Sequence, residues 1–295
     1  MYFGRLKHQD GGLEEFSTDF NHPTKVDHRY QLTPNGEFTQ WAELHYGYEV
    51  RSPCVAIDRD GTMHCFAINL SNRLVHTQKD TNPKTDWTPW DDSLLPAEPS
   101  PYEIAFVAVP SNMDGMCPVD QGPLVMFAAT VEQVFLFKKN TDNKWSFDQQ
   151  IGGNCDRGII QLVAAVNRNG SQEVFIINDD YSIFHNYQRP DGKFRDWESI
   201  SLNEYQVRAI AADANENGAL ELWGADLSGN LVRIKQSNWK NAIRVGWQGL
   251  DCRMIRDKEQ IITVIFAYRA SPTNNTLVYS TLVQAGPNSN DFPRV

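Results

Sequence analysis

The stretch Asn169-Gly170-Ser171-Gln172-Glu173-Val174-Phe175 is followed by Ile183-Phe184-His185-Asn186-Tyr187-Gln188 and then by Gly192-Lys193-Phe194-Arg195-Asp196-Trp197. Each piece is a short mixed run bounded by turn residues, as expected of antiparallel strands joined by tight hairpins. The first piece recurs along the chain as Gly11-Gly12-Leu13-Glu14-Glu15-Phe16, Gly61-Thr62-Met63-His64-Cys65-Phe66, Gly122-Pro123-Leu124-Val125-Met126-Phe127 and Gly218-Ala219-Leu220-Glu221-Leu222-Trp223. A weaker copy, Ile261-Ile262-Thr263-Val264-Ile265-Phe266, has lost the glycine. The closing aromatics at 16, 66, 127, 175, 223 and 266 are separated by 50, 61, 48, 48 and 43 residues.

The second piece recurs as Val26-Asp27-His28-Arg29-Tyr30-Gln31, Leu74-Val75-His76-Thr77-Gln78 and Leu231-Val232-Arg233-Ile234-Lys235-Gln236, while copies three and six place Phe137 and Tyr279 where the histidine stands. The third piece, an aromatic-x-x-Trp pattern, recurs as Phe38-Thr39-Gln40-Trp41 and Trp87-Thr88-Pro89-Trp90, and Trp145 and Trp247 mark that place in copies three and five. Turn signals separate the pieces: Asp10-Gly11, Asp60-Gly61, Asn169-Gly170, Asn217-Gly218, Pro34-Asn35-Gly36 and Asp191-Gly192. No stretch keeps helical periodicity without Gly, Pro or β-branched interruption. Four short strands per repeat, repeated around a ring, predict an all-β chain folded as a β-propeller of six blades, each of four antiparallel strands.

The repeats run approximately over 1–46, 47–96, 97–153, 154–202, 203–250 and 251–295 and are expected to form a single propeller domain. The long gap between Phe66 and Phe127 holds an insertion around 95–101 and 113–118, read as a surface loop. Closure of the ring is expected to use the chain ends, with a strand near Tyr2 to Leu6 completing or flanking the blade that ends near Val283.

The formal net charge is −10, and no run of Lys or Arg forms a patch suited to a phosphate backbone, so nucleic acid is not an expected partner. No window approaches 18 consecutive apolar residues, and none of the segments near the N-terminus reads as a secretory leader. The five cysteines are scattered with no C-x-x-C pair, which fits a reduced setting. The expected location is cytoplasmic, or outside the cell by release without a classical signal peptide. The N-x-S/T triplets at Asn69, Asn169 and Asn274 would matter only after secretion.

A Trp at the end of each blade is either a wedge packed between blades or a platform on which the C–H face of a sugar stacks. His28 and Gln31, His76 and Gln78, and His185 and Gln188 accompany it as uncharged hydrogen-bonding side chains. Histidines placed one per blade lie too far apart to share an ion, so neither a metal nor any other cofactor is expected. No nucleophile elbow, Cys–His signature, H-E-x-x-H or P-loop is present. Glu14, Glu173 and Glu221 recur at one strand position and read as a solvated or inter-blade face. Asp58-Arg59-Asp60-Gly61 and Asp213 to Gly218 look like calcium-loop fragments but lack the remaining ligands, so they read as hairpin turns.

The combination D/N-G-x-L-E-x-F, L-x-H-x-x-Q and G-x-F-x-x-W, most complete in residues 10–41 and 169–197, resembles the repeat of the PLL-type β-propeller lectins and, more distantly, of the six-bladed fungal fucose-binding lectins. The resemblance implies shallow pockets between adjacent blades that bind fucose-like or O-methylated sugars. It nominates Trp41, Trp90, Trp197 and Trp247, with His28, His76, His185, Gln31 and Gln188, as pocket residues. Copies three and six depart from the pattern, which leaves about four pockets. The partners implied are glycans or small sugars, with homo-oligomer formation left open. The degenerate repeats also admit a propeller enzyme with one pocket in its axial channel, cyclising or isomerising a natural-product intermediate, and the acidic surface admits a protein-interaction scaffold.

Overall fold

The computed structural model describes residues 2–8, 10–18, 24–58, 61–80, 86–92, 104, 106–109, 124–140, 142, 144–153, 155, 157–167, 169–200, 206–214, 219–248, 251–256, 262–271 and 274–283. All of the elements described are strands, arranged in six antiparallel sheets. The chain divides into two compact units, Met1–Ile151 and Gly152–Val295. The proposed insertion around 95–101 and 113–118 lies outside the described residues.

In the first unit, the first sheet holds β1 (Tyr2–Lys7), β2 (Leu13–Thr18), β3 (Val26–Tyr30) and β4 (Ala42–Glu43). The second holds β5 (Val50–Ile57), β6 (Thr62–Asn69) and β7 (Leu74–Asp80), and the third β8 (Phe106–Ala108), β9 (Val125–Ala129), β10 (Val134–Lys139) and β11 (Trp145–Ile151). In the second unit, the fourth sheet holds β12 (Ile159–Val166), β13 (Gln172–Asn178), β14 (Ile183–Tyr187) and β15 (Glu198–Ile200). The fifth holds β16 (Val207–Ala214), β17 (Leu220–Asp226), β18 (Asn230–Lys235) and β19 (Asn238–Gln248), and the sixth β20 (Asp251–Arg256), β21 (Ile262–Ser271) and β22 (Asn274–Val283). Every sheet is a meander in chain order.

The same hairpin opens the first, second and fourth sheets. His8, Asp58 and Asn167 accept at their carbonyls from the amides of Gly11, Gly61 and Gly170, and donate their own amides to the carbonyls of Gly12, Thr62 and Ser171. The three glycines sit at φ of 93°, 84° and 86°, a conformation costly for a residue with a Cβ, which is why glycine recurs there.

Two expectations need correction. The strand near Tyr2 does not complete the last blade; β1 pairs with β2 and is the opening strand of the first sheet. Among the described residues four sheets have four strands and two have three, and in the second the bridge of His76 to Asp91 marks the fourth position. The histidine equivalents in copies three and six are Leu136 and Ser280, which face Phe127 and Phe266, not Phe137 and Tyr279. In copy three the aromatic and its partner are nine residues apart, one fewer than in the second, fourth and fifth sheets, and a slip of one residue exchanges the two faces of a strand.

The cores lie between sheets. One joins the first and second sheets through Leu6, Phe16, Val26, Val55, Met63 and Trp87. Another joins the second and third through Phe66, Ile68, Met126, Phe135, Phe137 and Trp145, and a third joins the fourth and fifth. Central strands are therefore covered on both faces, and β9 and β17 are buried along their whole length. Burial of each closing aromatic contributes about 1.5–3 kcal/mol.

Candidate functional site

The aromatic-x-x-Trp pattern contains two positions with different roles. Its first aromatic is the wedge. Trp87 of the second sheet meets Phe16 of the first edge-on, with centroids 5.6 Å apart at 90°. Trp145 meets Phe66 at 5.1 Å and 88°, and Trp239 meets Phe175 at 5.6 Å and 72°. Trp145 thus occupies the place of Trp87, not of Trp90 as the sequence suggested. Quadrupole attraction favours this edge-to-face packing.

The Trp that closes the pattern lies elsewhere. Trp41 is 41% exposed, and the Arg29 guanidinium lies over its ring at 4.7 Å and over Phe38 at 4.6 Å. Arg29 also donates twice to Glu15 Oε2, at 2.9 and 2.7 Å. Trp90 is half-buried, stacked on Tyr48 at 6.0 Å and edge-on to His45 at 5.9 Å. Trp197 lies against Gly152, where a Cβ would come within 2.7 Å of its Nε1. Trp247 is on β19, and its side chain lies outside the described residues.

The histidines face the other way. Residues at alternate positions share a sheet face; Glu14 and Phe16 therefore share one with His28, which lies opposite Phe16 in the neighbouring strand. His28 Nδ1 donates to Glu14 Oε1 at 2.6 Å, and His185 Nδ1 to Glu173 Oε1 at 2.6 Å. Arg233 replaces the histidine in the fifth sheet and forks onto Glu221 at 2.8 and 2.9 Å. The third sheet puts buried Val125 and Leu136 at these positions, an apolar pair in place of a polar one. The glutamates are thus not solvated. All three are almost fully buried, since a neighbouring sheet covers the face that carries them.

A residue three positions after the histidine completes each set from the next sheet. Lys79 Nζ reaches Glu14 Oε2 at 2.8 Å, and Gln236 Nε2 donates to Glu173 Oε2 at 3.2 Å and to Asn167 Oδ1 at 2.7 Å. The turn residue contributes as well: His8 Nε2 lies 3.1 Å from Glu14 Oε2, and Asn167 Nδ2 donates to Glu173 Oε2 at 3.1 Å. Trp87 Nε1 adds a bond to Glu14 Oε1 at 2.9 Å. Burial alone would raise the Glu14 carboxyl, but the hydrogen bonds from His28 and His8 and the charge of Lys79 outweigh it and hold it well below the usual carboxylate range.

Gln31 and Gln188 also serve their own repeats. Gln31 Oε1 accepts from the Leu13 amide at 3.1 Å and its Nε2 donates to the Gly36 carbonyl at 3.0 Å; Gln188 Nε2 donates to the Gly192 carbonyl at 3.1 Å.

Since Trp and His occupy opposite faces of one sheet, a pocket combines the His of one repeat with the Trp of the next. Between the first and second sheets these are His28, half-buried, and Trp90. His45 lies with them, donating from Nε2 to Thr77 Oγ1 at 3.2 Å, while that hydroxyl donates to the Thr88 carbonyl. Burial lowers the His45 pKa, with His28 adding to the effect against a hydrogen bond that the ring donates to the Thr88 backbone carbonyl. Trp90 and Tyr48 thus stack beside the His45 imidazole, packed against the core that joins the first and second sheets. Among the described residues the Trp across from His76 is the wedge Trp145, and the partner of His185 would be Trp247. No group of three or more His, Cys, Asp or Glu side chains arranged for a metal occurs among the described residues.

Sequence reasoning missed His45, Tyr48 and the Lys79, Lys139 and Gln236 series. The last was within reach, because His28 to Gln31, His185 to Gln188 and Arg233 to Gln236 share one spacing, and that spacing lands on Lys79 in copy two, not on Gln78.

No family model matches the chain, and no curated protein matches it either. Solved structures do. A protein of unknown function from Dyadobacter fermentans is 11% identical, with a TM-score of 0.69 over 95% of this chain and 94% of that one. AofleA from Arthrobotrys oligospora is 10% identical, with a TM-score of 0.65 over 99% and 85% of the two chains. The fucose-specific lectin of Aleuria aurantia, described as a six-bladed β-propeller, is 10% identical, with a TM-score of 0.61 over 99% and 92%. At such identities the likeness shows the fold: this chain is an all-β, six-bladed β-propeller.

Proposed function

We propose that the protein is a carbohydrate-binding lectin that takes neutral, fucose-like sugars in clefts between adjacent sheets. The observation that carries the reading is the division of labour between the two Trp positions. Trp87, Trp145 and Trp239 do the wedging, which leaves Trp41 and Trp90 beside polar side chains, with Trp41 largely open to solvent. Support comes from the fold shared with the fucose-specific lectin of Aleuria aurantia. In the cleft between the first and second sheets, Trp90 offers apolar surface and His28 and His45 offer hydrogen bonds, the combination a sugar needs. The repeated positions make binding multivalent, with His185 and Trp247 as a second such pair and the exposed Trp41 as a further platform.

The test is a glycan array followed by a fucose titration of the melting temperature, with Trp41→Ala and Trp90→Ala beside the wild-type chain. Sugar should raise the melting temperature of the wild-type protein, and each variant should lose part of that rise. No bound glycan, or an unchanged rise in both variants, would overturn the proposal.

A further inference from the structure

The set between the second and third sheets is built differently from its counterparts. Where the first sheet has His8 at the turn and Glu14 on the strand, the second has Asp58 at the turn and His64 on the strand, so acid and imidazole have exchanged places. His64 Nε2 donates to Asp58 Oδ2 at 2.8 Å, and the same oxygen holds Lys139 Nζ from β10. The other ring nitrogen, His64 Nδ1, lies 2.7 Å from His76 Nε2. Histidine therefore meets histidine here, whereas His8 and His28 each meet a carboxylate oxygen.

We propose that the contact between the second and third sheets is an acid-sensitive latch, held by the chain Lys139–Asp58–His64–His76 and released by protonation of the histidine pair. A hydrogen bond between two imidazoles needs a lone pair on one of them. One added proton leaves that lone pair in place, but with a second both facing nitrogens carry hydrogen, and two cations face each other at 2.7 Å beside buried Lys139. Among the described residues the groups facing the pair are Asp58 from the turn before β6, Lys139 from β10 and Asp91 from the segment that bridges to His76. Asp58 is already shared by Lys139 and His64, so it has little left to offer a second imidazolium. Burial, His64 and Lys139 push the His76 pKa well below the ordinary value, and Asp91 and Asp58 only partly oppose them.

The first set holds no such pair of imidazoles: His8 and His28 each meet the Glu14 carboxylate, faced also by Lys79. The histidine-to-histidine contact thus sets the join of the second and third sheets apart from the Glu14 set of its neighbour.

The sign follows from linkage. The folded pKa of His76 is depressed, so the latch is complete above the unfolded value near 6.5 and weakens as pH falls below it. From pH 7 to pH 5 the opening equilibrium should rise about 25-fold for one such histidine.

Hydrogen exchange of the full chain, corrected for intrinsic rates, reads this directly. Peptides covering β6, β7 and β10 should show the rise, peptides covering β2 and β3 should not, and His76→Gln, which keeps a donor toward His64, should abolish it. An absent rise in the wild-type chain, or a rise that survives His76→Gln, overturns the proposal. Should His76→Gln not fold, imidazole titration of the wild-type chain by NMR decides: both His64 and His76 protonating above pH 5 with β10 amides still protected would overturn it, and one of them staying neutral would support it.

Discussion

Trp87 and Trp145 occupy one fold position with one packing geometry, yet differ in a single polar contact. Trp87 Nε1 donates to Glu14 Oε1 at 2.9 Å, whereas Trp145 Nε1, also buried, has no hydrogen-bond partner among the described residues, because copy two carries His64 where copy one carries Glu14. Trp87→Phe and Trp145→Phe therefore remove nearly the same ring atoms from sites that are 8% and 4% exposed. The packing and cavity losses should be similar and should cancel in the comparison. What remains is a hydrogen bond to a buried carboxylate, worth about 1.5–3 kcal/mol. In a chain of this size that difference amounts to about 3–6 °C in melting temperature, with Trp87→Phe the less stable. The assay is thermal and urea unfolding followed by far-UV circular dichroism, so that the loss of an indole does not alter the probe. A double-mutant cycle sharpens it: Trp87→Phe with Glu14→Gln should show coupling, and Trp145→Phe with His64→Gln should show almost none. Equal losses from the two Trp→Phe variants, or a larger one at Trp145, would refute the reasoning.

Glu14→Gln should cost about 3–5 kcal/mol at neutral pH, because it leaves the nearly fully buried Lys79 ammonium without its carboxylate. The folded carboxyl is depressed, so its contribution is present above the unfolded value of 4.5 and is lost as pH falls toward the folded one; melting curves below pH 4.5 should fall less steeply for Glu14→Gln than for the wild-type chain. Gly152→Ala should displace Trp197, since φ is +63° there and the new Cβ would lie 2.7 Å from the indole Nε1. The expected cost is about 1–3 kcal/mol with a red shift of the Trp emission, read by fluorescence.

The repeat was legible because its signals are local. A glycine with positive φ three residues after the turn carbonyl, then an aromatic five residues on, sets the hairpin without reference to the rest of the chain. That is why Gly11, Gly61 and Gly170 mark true turns. Register was legible only where the hairpin kept its length. Between Phe127 and Leu136 the loop is one residue shorter, closed by the Gln133 carbonyl accepting from the Thr130 amide, and the pattern-matched Phe137 fell on the wrong face. The role of β1 could not be read either, since a first strand and a closing strand carry the same alternation.

The polar sets were illegible for a different reason. Glu14, Glu173 and Glu221 look like surface residues when only their own strand is considered, because a charged side chain is rarely buried without a partner. For Glu14 and Glu173 part of the set comes from another sheet: Lys79 reaches Glu14 from 65 residues away, and Gln236 lies 63 residues from Glu173. Recurrence of an acid at one position of a closed repeat is therefore better read as a claim on the neighbouring repeat than as exposure. The exchange of Asp58 and His64 for His8 and Glu14 supports this, because it changes two positions together and preserves one carboxylate for one lysine. Copy three makes the complementary choice, with Val125 and Leu136 both apolar. No described set is half polar, as expected where an unpaired buried charge would cost several kcal/mol. The histidines that looked like sugar ligands belong to these sets, and Gln31 and Gln188 hold the turns of their own repeats. The packing of the sheets has therefore already fixed these side chains in place.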